Sequence, residues 1–131
     1  MFFTLASANE ALPKVVEKYQ SLQKQKQEVQ KLEAQLNNQM SASFNLLDYV
    51  AIKQQLNAAV TKFYRAVEDL ESTGAVLKSL DEGLLDFPSK RFEEEVWLCW
   101  KEGEKEIKFW HEKDVGFMGR KPISVSDESL V

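Results

Sequence analysis

Between residues 14 and 73 no glycine or proline interrupts the chain, and the apolar side chains recur at steps of three, four and seven. Val15, Tyr19, Leu22, Val29, Leu36 and Met40 form one such series, and Leu56, Val60, Phe63, Val67 and Leu70 form a second. Those spacings place each series on one side of an α-helix, so the pattern predicts two long amphipathic helices. Ser7-x-x-Glu10 has the spacing of a capping box, and Pro13 is tolerated near a first turn or at a kink, which starts the first helix between residues 5 and 13. The polar run N-N-Q-M-S-A-S-F-N leads into Asn45-x-x-Asp48, an N-cap pattern that marks the turn between the helices. Gly74 is a suitable left-handed stop for the second helix. Lys26 and Glu33 fall on the seam of the first helix, where they thin its apolar stripe and set register.

After Gly74 the period drops to two. Val76, Lys78 and Leu80 alternate with Leu77 and Ser79, Asp81-Glu82-Gly83 reads as a turn, and Leu84 to Pro88 returns as a second strand. A further hairpin spans Val96 to His111. Its expected register sets Trp100 against Lys105, Leu98 against Ile107 and Val96 against Phe109, which gathers the aliphatic residues on one face. The other face then pairs Trp97 with Lys108 and Cys99 with Glu106, turns Trp97 and Trp110 away from Leu98, and brings His111 opposite Glu94. The expected fold is α+β: a long antiparallel helical hairpin over about residues 5–74, then a small antiparallel sheet of about four strands, with β hairpins over about 75–112. Helices would cover one side of the sheet, and the F-F-T-L strand or a second subunit the other. A glycine loop and flexible tail fill 113–131, and the 131 residues make a single domain.

Charge alters this picture by exclusion. Residues 1–74 carry eight charges of each sign, so the net charge of -4 resides in the C-terminal part, which speaks against nucleic acid as a partner. The first ten residues lack the basic start of a signal peptide, and no apolar run reaches bilayer length, so no membrane association is expected. A single cysteine, Cys99, cannot form an internal disulfide, which suits a cytoplasmic location.

Five stretches, F-T-L-x-x-A-N-x-A-L-P (3–13), G-L-L-D-F-P (83–88), V-W-L-C-W (96–100), G-x-x-E-I-x-F-W-H-E (103–112) and D-x-G-F-x-G-R-x-P-I (114–123), occur in an order that resembles an uncharacterised prokaryotic family, domain of unknown function twenty-two oh three. The resemblance spans nearly the whole chain except the glutamine-rich middle of the helices. It implies no activity and transfers no catalytic residue.

Candidate chemistry gathers around the lone histidine. His111, with Glu94 expected across the strands, Glu112 and Asp114 nearby and Asp86 at the end of the first hairpin, could hold a divalent metal. A histidine hydrogen-bonded to one carboxylate is the simpler reading. Cys99, expected beside Glu106, reads as a small packed thiol. Gly116 to Lys121, with Arg120, could cradle an anion, although a tight loop whose arginine pairs with an acid explains the same residues. No catalytic residue and no cofactor is assigned.

Met40, Phe44, Leu46, Leu47, Tyr49, Val50 and Ile52 crowd the turn between the helices. Helices of about 25 residues are about 38 Å long, so a small sheet cannot cover that end, and an apolar patch of this kind marks an interface. The resulting expectation is a non-catalytic interaction module, a homodimer through Met40, Phe44, Leu46, Leu47, Val50 and Ile52, with a further protein partner possible for the aromatic sheet. The alternative is a small metal- or anion-binding enzyme built on His111, Asp114, Asp86, Glu94 and Arg120.

Overall fold

A computed structural model of the protein describes residues 1–41 and 44–123. Helix α1 runs Leu5–Ser41 and α2 runs Leu46–Glu71, followed by strands β1 (Val76–Ser79), β2 (Leu84–Arg91), β3 (Glu94–Lys101), β4 (Phe109–Glu112) and β5 (Lys121–Pro122). The fold is α+β, a helical hairpin followed by an antiparallel sheet in the order β1-β2-β3-β4-β5. The strand beyond the expected four is β5, two residues long and paired through Phe109↔Pro122 and Trp110↔Lys121. The anticipated flexible tail after Pro122 falls, beyond residue 123, outside the described residues. No helix among the described residues is long and apolar enough to cross a membrane.

The start of α1 differs from the expected capping box. Thr4 Oγ1 accepts from the Ser7 N–H and Ser7 Oγ accepts from the Thr4 N–H, both at 2.9 Å, so the reciprocal cap lies three residues earlier than Ser7-x-x-Glu10. Asn45 caps α2 as its spacing predicts, its Oδ1 accepting from the N–H groups of Leu47 and Asp48 at 3.0 and 3.2 Å. At the far end of α2 the Gly74 N–H donates to the Glu71 carbonyl, with Gly74 at φ +99°.

Two compact units are distinguished: Met1–Tyr19 with the chain from Asp69 onward, and Gln20–Glu68. In the helical unit Gln20–Glu68, Leu22 and Leu32 are buried, whereas Val29, Leu36, Leu56, Val60 and Phe63 are half-buried. Leu32 takes the seam place expected for Glu33, which is exposed. At its turn Phe44, Leu46, Leu47 and Val50 are exposed, and Ile52 is half-buried. The side chain of Met40 lies outside the described residues.

The other unit holds the main core. Ala8, Leu12, Val15 and Tyr19 recur at helical spacing along the first turns of α1 and are all buried. They accompany one face of the sheet, formed by Leu85 and Phe87 of β2, Val96, Leu98 and Trp100 of β3 and Trp110 of β4. Edge-on ring pairs tie the layers, Phe3 with Phe87 at 5.2 Å and Tyr19 with Trp100 at 5.8 Å. Strand β2 runs through Pro88 without losing a ladder bond, because β1 has ended there and the Phe3 N–H donates to the Pro88 carbonyl at 2.7 Å. Gly83, at φ +72°, turns β1 into β2 where an added Cβ would fall 2.6 Å from Glu102 Cβ. The β2–β3 turn uses Phe92 and Glu93 at φ +51° and +69°, a two-residue hairpin turn in which no glycine announces the reversal.

The expected register of the second hairpin is overturned. The observed pairs are Val96↔Glu112, Trp97↔His111, Leu98↔Trp110 and Cys99↔Phe109, displaced by three residues from those expected. A loop over 102–108 replaces the tight turn at Glu102-Gly103. The Glu104 side chain and carbonyl accept from the Lys101 N–H (2.7 Å) and the Trp100 indole N–H (2.8 Å). Ile107 is buried without a strand partner, its N–H donating to Asn9 Oδ1 at 2.7 Å. An odd displacement exchanges the two faces of a strand. Trp110 therefore turns to the helix-packed face, while Phe109 and His111 turn to the opposite one.

Candidate functional site

That opposite face is built from Leu84 and Asp86 of β2, Trp97 and Cys99 of β3, and Phe109 and His111 of β4. Asp86 pairs with Cys99 and Cys99 with Phe109, while His111 pairs with Trp97 one step along β4. The face is covered by the segment after β4. Arg120 stacks over Phe109 at 3.9 Å and over Phe117 at 4.4 Å, and its guanidinium forms an ion pair with Glu104 at 3.0 Å. The Arg120–Glu104 pair thus ties the 116–121 loop to the 102–108 loop, and a Cβ at Gly119 would strike Val115.

Under that cover Asp86, Cys99 and His111 are each at most 3% exposed, and their donor atoms lie within 4.8 Å of one another. His111 Nε2 is 3.0 Å from Asp86 Oδ2, and Nδ1 is 2.9 Å from the Glu112 carbonyl oxygen. A carbonyl only accepts, so Nδ1 carries a hydrogen. Nε2 then faces a carboxylate oxygen, and a further proton must lie between the two groups, on the ring or on the carboxyl. Burial holds the Asp86 carboxyl above its usual range, with His111, the Cys99 thiol and Lys78 working against that rise. Burial also pushes the Cys99 thiol up to about 12, the Asp86 carboxylate adding to the shift and Arg120 opposing it. The thiol stands beside Asp86, but S–H is a weak donor, and Asp86 Oδ1 has no partner of hydrogen-bond geometry. A buried carboxylate oxygen left in this way is costly.

The three side chains border a cavity of about 100 Å³, whose other walls are Lys78, Leu84, Trp97, Lys113, Val115, Gly116 and Phe117. Lys78 lies 4.1 Å from the Trp97 ring centroid, and Lys113 pairs with Glu95 at 2.8 Å. A separate groove of about 590 Å³, lined by Arg91, Phe92, Trp110, Glu112 and others, takes in Glu94 and Asp114.

Of the five residues singled out from sequence, Asp86 and His111 thus come together. Glu94 lies in register with Arg91, Asp114 is exposed, and Arg120 is held by Glu104. Cys99 and Lys78 join the site unannounced. The β2–β3 pairing sets Cys99 against Asp86, and the β3–β4 register puts Phe109 opposite Cys99 where Glu106 was expected and brings His111 to the same face.

The model of DUF2203, an uncharacterized conserved protein family, matches residues 1–123. The chain belongs to that family. Three of the stretches quoted above, G-L-L-D-F-P, V-W-L-C-W and E-I-x-F-W-H-E, deliver Asp86, Cys99 and His111 respectively. No curated protein and no solved structure was found to match the DUF2203 chain.

Proposed function

We propose that the protein binds one divalent transition metal through Asp86, Cys99 and His111. The observation that carries this reading is a buried carboxylate, thiol and imidazole with donor atoms within 4.8 Å, one carboxylate oxygen of which is unpartnered. A mixed oxygen, sulfur and nitrogen set selects zinc and its neighbours over magnesium or calcium. Tetrahedral bonds of about 2.0 to 2.3 Å call for donors about 3.3 to 3.7 Å apart, between the 3.0 Å of the histidine–aspartate pair and the 4.8 Å bound. The Nδ1 hydrogen bond to the Glu112 carbonyl already orients the ring with Nε2 toward the site, as metal-ligating histidines require. The metal would replace the proton shared with Asp86 and deprotonate the thiol outright. Zinc titration of metal-free protein followed by dialysis and elemental analysis tests the reading. One zinc per chain is expected in wild type, with loss in Cys99→Ala and His111→Gln. Folded wild type that retains no zinc at micromolar concentration would sink it.

A second reading concerns the turn of the helical unit, where Phe44, Leu46, Leu47 and Val50 are 57%, 62%, 80% and 42% exposed. Apolar side chains clustered in that way favour self-association, a homodimer in which two such turns cover each other. Leu47→Glu would place a charge in the desolvated contact and is expected to yield monomer. Light scattering that gives about 15.1 kDa for wild type at micromolar concentration would exclude this reading.

A further inference from the structure

The cavity beside Asp86, Cys99 and His111 suggests what the metal would meet. We propose that its open coordination position takes a small oxyanion, the carboxylate, carbonate or phosphate type of group, held against Lys78; this rests on the metal-binding reading. Three protein donors leave a four-coordinate ion one position for an exogenous ligand. The cavity is the space that adjoins all three donors, and about 100 Å³ equals roughly three water volumes, room for an oxyanion of about five heavy atoms and too little for a nucleoside.

Charge selects the sign of the ligand. A carboxylate and a thiolate cancel a divalent ion, and no further acid lines the cavity. Two ammonium groups do. Lys113 is neutralised by Glu95, whereas Lys78 has no carboxylate within ion-pair distance among the described residues and rests on the Trp97 ring. The site with metal bound therefore carries one uncompensated positive charge at the wall, that of the exposed Lys78, beside the segment Val115–Phe117. Leu84 and the Trp97 ring supply apolar wall, so the charges that meet an anion there are the metal and Lys78.

The test uses the full chain loaded with cobalt(II), whose visible absorption reports its ligands. Inorganic phosphate, acetate and bicarbonate are titrated separately, with sodium chloride at matched ionic strength as control. At least one oxyanion is expected to shift the cobalt bands saturably while chloride does not. Lys78→Gln should bind cobalt with the same stoichiometry and weaken the oxyanion at least tenfold, and Lys78→Arg should restore most of that loss. If cobalt binds but no oxyanion shifts its bands, if chloride shifts them equally, or if Lys78→Gln binds oxyanion as wild type does, the inference is overturned and the metal reading stands. If wild type takes up no cobalt, both fall.

Discussion

The two faces of the sheet use the same three strands for opposite purposes. Toward α1, Phe87, Leu98 and Trp110 lie in one row across β2, β3 and β4, with apolar neighbours above and below. On the other side the corresponding row is Asp86, Cys99 and Phe109, with His111 one step along β4. Both faces are buried, but the first by a helix that supplies apolar surface and the second by a loop that supplies backbone, aromatic rings and cations. Burial on the first face stabilises the fold at about 25 cal/mol per Å² of apolar area. Burial on the second sets a carboxylate, a thiol and an imidazole together without enough hydrogen bonds to satisfy them, which costs stability. The difference separates a face that holds the protein together from one whose buried polar groups are left partly unsatisfied.

Truncation should show the contrast most strongly. Leu98→Ala or Phe87→Ala is expected to cost about 2 to 5 kcal/mol in denaturant unfolding of the metal-free protein, since each empties a fully buried place between sheet and helix. Cys99→Ala on the other face should cost less than either, and an equal cost would erase the distinction.

Metal should reverse the weakness of the second face. With free zinc at about a hundred times its dissociation constant, wild type should gain about 2.7 kcal/mol, and His111→Gln should gain none. Leu98→Ala, if it folds, should keep the gain, because its defect lies on the other face. A zinc-dependent rise of melting temperature that survives in His111→Gln would place the ion elsewhere.

Alkaline pH gives the smallest effect over a single pH unit. In the metal-free protein the Cys99 thiol holds its proton to about 12, while an unfolded cysteine releases it near 8.5. The folded pKa is the higher one, so this contribution is fully present below pH 8.5 and is lost as pH rises toward 12. Between pH 9 and 11 wild type should lose about 1.4 kcal/mol per pH unit more than Cys99→Ala. Parallel pH curves for the two proteins would show that burial does not hold the proton.

Much of the architecture was legible along the chain because it depends on neighbours a few residues apart. The helical repeats, the Asn45 cap, the Gly74 stop and the Gly83 turn are local, and each appears where its residues predict. The cap of α1 lies at Thr4-x-x-Ser7 and not at Ser7-x-x-Glu10, and nothing local ranks the two spacings. The β2–β3 turn was silent because Phe92 and Glu93 enter the left-handed region without glycine. Half of the site was legible too, since Asp86 interrupts the apolar run Leu84 to Phe87 and His111 is the lone histidine of the chain.

By itself, then, the sequence determined a helical hairpin followed by an antiparallel sheet, through periods of 3.6 and 2 that need no distant partner. Only the tertiary structure decided which faces of the strands meet. The pairing of β3 with β4 depends on contacts far apart in the chain, the Asn9 side chain taking the Ile107 N–H across 98 residues and Glu104 drawing the Trp100 and Lys101 donors into the loop. These absorb the residues that a tight turn would have put into the ladder. Because side chains alternate, that displacement of three residues carries Trp110 to the helix and His111 to Asp86 and Cys99, and so creates the site that the linear pattern had set apart.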